Sequence, residues 1–536
     1  MIAVAVAIGL VHLLRRPPLV LSVPGSFNDD GVYLVLGKAI AAGEGYRSIH
    51  VPGAPVELKY PPGLPLLLAA LWATLGDLGL VVSAMRAVNV LAAAGAAALL
   101  WRVARRDLAL PPAFALLGVL PLALEDTVQY WSLVLGEPWF VLGWGAALAL
   151  APLSAADGDV GGGAASSRRG ALLGVVLGAT ALFRTQAAVL LPAFALPLLA
   201  DRRSRRAGAW CLLVGAVPLA GWSIMQSTLR ARGPVSALPD ETPYLEWIPL
   251  ARPAEWPAFV AERVATSAQY YGLAFGRMVS AGAAGPVVVA IFTALAVGGA
   301  LVAARRRPAL SLSAIAVALT ALFWPWAQSR LALPLLPAAG LLAALALEQG
   351  TRRLPRLGRR AAEAVVVGAC ALMLVRQSTL RRESLENVRT GRRPRVYLAG
   401  DVLPLQSRLV AMDTAWANAN TRPDEVLLVD VPAAVYLWTG RRAVSAAPAE
   451  SQAARSVFAE PGRFLASRVL DDGVDVVVTS YPMQLITQDV RAALAACPGA
   501  LAPAGAASAT GFPAFFRVVE PSDCLRRLRG GAPSAR

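Results

Sequence analysis

The sequence predicts an α-helical polytopic membrane protein followed by a small soluble α/β domain, and three observations carry that prediction. Hydrophobic residues make up 56% of the 536-residue chain and charged residues 16%, with a mean hydropathy of +0.55, a balance far from that of a soluble protein. The apolar residues fall into runs separated by short arginine clusters, and from Arg376 onward the composition reverts to a soluble mixture. A net charge of +16 in a soluble chain would point to nucleic acid. Here the cations sit between apolar runs, as the positive-inside rule requires, so the charge reads as topology and excludes a nucleic-acid partner.

Taken in order, residues 2–14 form a first apolar run, short for the roughly 20 residues of a span. It lacks a basic leader and a small-residue cleavage site, which argues against a removable signal peptide. Residues 24–80 form the first outer loop, with the adjacent acids Asp29 and Asp30 and, after them, Lys59-Tyr60-Pro61-Pro62-Gly63. A carboxylate pair at a membrane boundary is costly unless it faces water or a partner, and so marks a candidate site; a merely solvated acidic loop is the plain alternative. Further spans are expected at 81–101, 108–124, 138–153, 170–182, 187–200, 207–225, 286–304, 310–323, 331–347 and 361–375, about eleven in all. The N-terminus is then inside and the C-terminal part outside. Each arginine cluster (102–106, 202–206, 305–307, 352–360) lands on one side, while Asp29, Asp30, Glu137, Arg184 and Arg330 land on the other.

Residues 377–525 read as an extracytoplasmic α/β domain. Strands are expected at 425–430 and 474–479 and helices at 432–438 and 464–470, with a disordered tail over 526–536. Cys497 and Cys524 fall in this domain and are candidates for a disulfide in an oxidising exterior, whereas Cys211 and Cys370 lie in spans as packing residues.

Five motifs keep their order and sidedness: Asp29-Asp30-x-x-Tyr33, Tyr60-Pro61-Pro62-Gly63-x-Pro65, Gly136-Glu137-Pro138, Phe183-Arg184, and Ser329-Arg330-x-x-x-Pro334-x-x-Pro337. Together they resemble the GT-C superfamily of polyprenyl-phosphate-dependent glycosyltransferases, and are most similar to the branch of the lipid A aminoarabinose transferase and the protein O-mannosyltransferases. Trp416, Asn418, Asn420 and residues 423–441 resemble the soluble segment many members carry.

The resemblance implies transfer of a sugar from a polyprenyl phosphate to a lipid, glycan or protein acceptor outside the cytoplasmic membrane. Phosphate is already a good leaving group. The chemistry therefore needs one base and cations for the developing phosphate charge, and a single displacement inverts the anomeric centre. Asp29, matching the first acid of the family's pair, is the expected base. Asp30 is the expected helper, orienting the acceptor or holding a divalent cation, with helix capping as its plain alternative. Glu137 is expected to bind sugar or position the acceptor.

Lys59, Arg184 and Arg330 are candidates for the lipid phosphate, each equally readable as an interfacial snorkelling residue; Tyr33 and Tyr60 complete the expected substrate-binding set. The sequence departs from the aminoarabinose branch at Tyr60, where that branch carries a lysine. His50 is a candidate metal ligand whose plain reading is polar surface. Trp324 and Trp326 are candidate sugar platforms or belt aromatics. A transporter or flippase of lipid-linked glycans would show internal repeats and charged or broken helices near the midplane, whereas no repeat is found and the polar residues of interest cluster at one face; a non-catalytic envelope scaffold is the third possibility.

Overall fold

The computed structural model describes residues 1–15, 23–151, 163–232, 253–280, 284–324, 328–392, 394, 396–446, 462–480, 485–505, 513–519 and 523–530. Trp326, the 157–162 part of the glycine-rich inner loop and residues 531–536 of the tail lie outside them.

A chain this apolar must satisfy its backbone within each segment, and it does so as helices. Among the described residues four are long and apolar enough to cross a membrane: Leu78–Asp107, Arg205–Ala231, Ala284–Arg306 and Arg356–Thr390. The last three turn most of their apolar surface outward, as lipid-facing spans do, and the chain is a multi-pass membrane protein. Six further apolar helices are shorter: Ile2–Arg15, Gly63–Leu75, Pro112–Ala123, Thr185–Ala200, Pro308–Phe323 and Leu335–Thr351. Proline accounts for much of the shortness. It opens the Glu137–Leu150 and Pro308–Phe323 helices and sits in the 3-10 turn Leu120–Ala123, where its fixed φ and missing N–H start helices or tighten them.

The first outer loop is largely helical. Asp29–Ala41 and Gly63–Leu75 pack on each other and bury Leu34, Leu36, Leu64 and Leu68. The Glu137–Leu150 helix gives the body its direction. At its C-terminal end Arg102 donates to the Ala149 carbonyl at 3.3 Å, Arg169 to that of Leu150 at 2.6 Å, and Arg307 to that of Ala151 at 3.2 Å while pairing with Asp107 at 3.6 Å. Arginines from two of the clusters and Arg169 thus meet at one end, and Glu137 stands at the other, about 20 Å away along the helix axis.

The composition change at Arg376 does not end a helix: Arg356–Thr390 runs through it, and Ala399–Asn420 follows. Beyond lies a five-stranded sheet of order β2-β1-β3-β5-β4, with β1 Leu427–Val429, β2 Ala443–Ser445, β3 Val476–Val478, β4 Leu501–Pro503 and β5 Phe515–Val518. β1 pairs parallel with both β2 and β3, and β5 pairs antiparallel with β3 and β4. Pro432–Thr439 and Arg463–Asp471 are helices, and Phe464, Val477 and Phe516 share the core. Cys497 and Cys524 are joined, with Cα atoms 5.7 Å apart, and the expected free tail begins as helix over Asp523–Gly530.

The domain docks on the end of the body that carries Glu137. The Ala443 amide donates to the His50 carbonyl at 2.8 Å, Trp438 Nε1 to the Pro24 carbonyl at 3.1 Å, and the Ala399 amide to Asp126 Oδ1 at 2.6 Å. Arg277 pairs with Asp401 through both guanidinium nitrogens. Replacing Cys497 by Ser opens the 27-residue loop. It is expected to cost the domain about 2–4 kcal/mol, read as faster proteolysis of the C-terminal domain under oxidising conditions with the helical body left intact.

Candidate functional site

Asp29 and Asp30 open the Asp29–Ala41 helix, and successive helical side chains point about 100° apart, so the pair divides. Asp30 faces the preceding loop: Oδ2 accepts from the Gly25 amide at 2.9 Å and Oδ1 from the Phe27 amide at 3.0 Å. Burial pushes its carboxyl up to about 6 against those two hydrogen bonds, with the Asp29 charge adding to the rise. Both its oxygens are used by the backbone. Asp30 therefore fixes the loop ahead of the helix in this structure.

Asp29 faces the other way, into a cleft with about 440 Å³ of empty space that is lined also by Tyr33, Lys59, Pro61, Arg184, Thr185, Gln186, Trp324, Arg330 and Leu331. Its side chain is 20% exposed. Tyr60 Oη donates to Asp29 Oδ1 at 2.7 Å and Arg330 Nη2 donates to Oδ2. Burial alone would raise this carboxyl, but the charges of Arg330 and Lys59, with the hydrogen bonds from Arg330 and Tyr60, overcome it and hold it at about 2.

Glu137 opens the Glu137–Leu150 helix and is 0% exposed. Its Oε1 lies 2.8 Å from Arg184 Nη1 and 3.8 Å from Arg330 Nη1. Glu137 stands behind the cleft and braces the two arginines that line it. Two glycines make this arrangement possible. A Cβ on Gly63 would lie 2.7 Å from the Leu182 carbonyl oxygen, and one on Gly136 would collide with that of Phe183. The Pro-Pro-Gly and Gly-Glu-Pro motifs thus both press against the end of the Gly163–Phe183 helix, from which Arg184 projects; Trp139 stacks on Phe183 with centroids 4.7 Å apart.

Two residues that the sequence reading passed over orient the cations. Gln186 Oε1 accepts from Arg184 Nε and Gln328 Oε1 from Arg330 Nε, each at 2.8 Å. Each glutamine lies two positions from its arginine, and that repeated spacing was the available signal. The Arg330 guanidinium carbon also sits 4.6 Å from the centroid of the Phe27 ring. Tyr33 packs edge-on against Tyr60, and the Lys59 ammonium lies 5.5 Å from the Tyr60 ring. The lysine expected before the prolines is replaced by a phenol that holds the carboxylate.

His50 is buried under the C-terminal domain, where burial lowers its ring to about 4, and it does not line the cleft. Among the described residues no group of three His, Cys, Asp or Glu side chains is placed to hold a metal ion. What the cleft does offer is one carboxylate beside three cations, at the end of the body remote from the arginine-rich loops.

No family model and no curated protein sequence matches the chain. Solved structures do. ArnT from Cupriavidus metallidurans bound to undecaprenyl phosphate superposes with a TM-score of 0.54 at 14% identity, covering 98% of this chain and 97% of that one. Its apo state gives 0.53 at the same identity and coverage. The archaeal oligosaccharyltransferase AglB from Archaeoglobus fulgidus, in complex with an inhibitory peptide and a dolichol-phosphate, gives 0.52 at 14% identity, covering 97% of this chain and 74% of that one. The likeness is one of fold: the chain has the GT-C architecture of these membrane proteins over nearly its whole length.

Because Glu137 is fully enclosed, Arg184→Gln strands a buried charge and is expected to cost roughly 3 kcal/mol. Thermal unfolding in detergent should show a clear loss for Arg184→Gln and recovery of much of it in the double variant with Glu137→Gln. Equal additive losses would show that the two side chains do not interact.

Proposed function

We propose that the chain is a membrane glycosyltransferase that moves a sugar from a polyprenyl-phosphate donor to a hydroxyl of an envelope lipid, glycan or protein. The observation that carries this is the convergence of Asp29, Lys59, Arg184 and Arg330 on one cleft from four separate stretches of sequence. The GT-C fold supports it, as does the undecaprenyl phosphate named for ArnT. In this reading about eleven spans cross the cytoplasmic membrane, the arginine-rich ends face the cytoplasm, and the cleft and the C-terminal domain lie outside.

The donor phosphate occupies the cationic wall formed by Lys59, Arg184 and Arg330, where bidentate guanidinium groups suit its oxygens. Asp29, the one acid lining the cleft among the described residues, is the base. The acceptor oxygen bonds to the anomeric carbon as its proton passes to Asp29. On the opposite face the bond from that carbon to the phosphate oxygen breaks, its electron pair leaving with the phosphate, and the configuration inverts. The cations meet the charge that develops on the departing phosphate, in a site organised before the reaction begins. The charged groups that line the cleft sit at helix ends and gather at one end of the body, which favours a site there over a transport path through the bilayer midplane.

Purified protein incubated with radiolabelled polyprenyl-phosphate sugars and extracted envelope acceptors is expected to transfer label. Asp29→Asn is expected to lower the rate by about 10²–10⁴-fold while retaining donor binding; equal transfer by the two proteins overturns the assignment of the base. Cysteine-accessibility labelling at positions 29 and 204 should modify the two from opposite sides of the membrane, and same-side labelling removes the topology.

A further inference from the structure

One guanidinium serves two partners whose needs conflict. Arg330 donates to Asp29 through Nη2 and faces buried Glu137 through Nη1, while Nε is fixed on Gln328 and the plane lies over Phe27. Yet the same cation lines the wall that a donor phosphate would occupy. While Arg330 remains on Asp29, that carboxylate is a poor proton acceptor, because every hydrogen bond and charge directed at it favours the ionised form.

Resting on the glycosyltransferase reading, we infer that Arg330 couples donor binding to activation of the base: the donor phosphate draws the guanidinium off Asp29, and Tyr60 alone then positions the freed carboxylate for the acceptor. The cleft is built for such a transfer. Gln328 holds Nε and Glu137 attracts the far edge, so the guanidinium can shift between Asp29 and a phosphate while staying anchored. The Tyr60 phenol sits on the other oxygen of Asp29, and its ring is wedged against Tyr33, so the carboxylate keeps its place. The acceptor is thereby activated only when the donor is present, which suppresses idle proton transfer in a cleft open to water.

The consequence is proton uptake on donor binding. The groups around Asp29 are Arg330, Lys59 and Arg184, the phenols of Tyr33 and Tyr60, Glu137 behind the arginines, and Asp30, which faces the loop backbone. Free Asp29 is held at about 2. Loss of Arg330 and arrival of an anion both move it upward, toward or past the ordinary value of about 4. Binding then takes up a proton below about pH 6 and strengthens as the pH falls.

The test is calorimetry on the full-length protein in nanodiscs, titrated with methyl undecaprenyl phosphodiester. That lipid cannot transfer a sugar, and its single acid is ionised throughout the window. Repeating each pH in buffers of different ionisation enthalpy gives the proton count. On the order of half a proton is expected near pH 4, falling to none by about pH 7, absent in Asp29→Asn and displaced to higher pH in Tyr60→Phe. Tight binding without Asp29-dependent uptake overturns the coupling and leaves the glycosyltransferase reading standing. Absence of binding overturns both.

Discussion

The enclosed carboxylate of Glu137 is the constraint on which the site depends. A carboxylate removed from water needs its charge matched by nearby cations. At the start of a helix it gains a little from the backbone dipole, but most of the compensation comes from Arg184 at 2.8 Å and Arg330 at 3.8 Å. These arginines belong to distant parts of the chain, so Glu137 selects where two helix junctions must meet. The glycines at 63 and 136 follow from that requirement, since the end of the Gly163–Phe183 helix can come close enough only where no Cβ intervenes. The cleft thus receives its arginines already anchored, through Glu137 and the two glutamines, at the ends that face away from Asp29.

The C-terminal domain belongs to the same construction. It holds the loop ahead of Asp29 from above, through Trp438 and the Pro24 carbonyl, while Asp30 ties the Gly25 and Phe27 amides from below. Phe27 in turn supports the face of Arg330. A change in how the domain sits would therefore reach Arg330 through a short loop fixed at both ends.

Some of this was legible in the residues and some was not, for physical reasons. Arginine clusters declare an end of the body because hydrocarbon excludes them, and two of those clusters, with Arg169, do meet around the far end of the Glu137–Leu150 helix. The strands at 427–429 and 476–478 were visible as short apolar runs, whereas β4 lies in alanine- and proline-rich sequence with little pattern of its own and β5 is a short aromatic segment just after a proline. Helices cut short by proline blur a count of spans. Burial was the larger gap. Nothing in Gly136-Glu137-Pro138 announces that its acid is enclosed, and adjacent aspartates look equivalent until the 100° step of a helix sends one to the cleft and the other to the loop. Tyr60 was legible only as a departure; its hydrogen bond to Asp29 gives the departure a purpose.

The charge of the finished site bears on what it can hold. Lys59, Arg184 and Arg330 face Asp29 and Glu137, so three cations against two carboxylates leave one positive charge in a partly desolvated cleft. A phosphodiester brings one negative charge and closes that balance, whereas a diphosphate would leave an excess anion where desolvation makes it costly. In the proposed transfer the departing lipid phosphate gains a second negative charge just as Asp29 gains a proton and loses its own. The total stays constant along the reaction, and only its position moves, from the carboxylate to the phosphate across the cationic wall. An arrangement that keeps the total fixed while relocating it favours the transition state without holding the substrate too firmly beforehand.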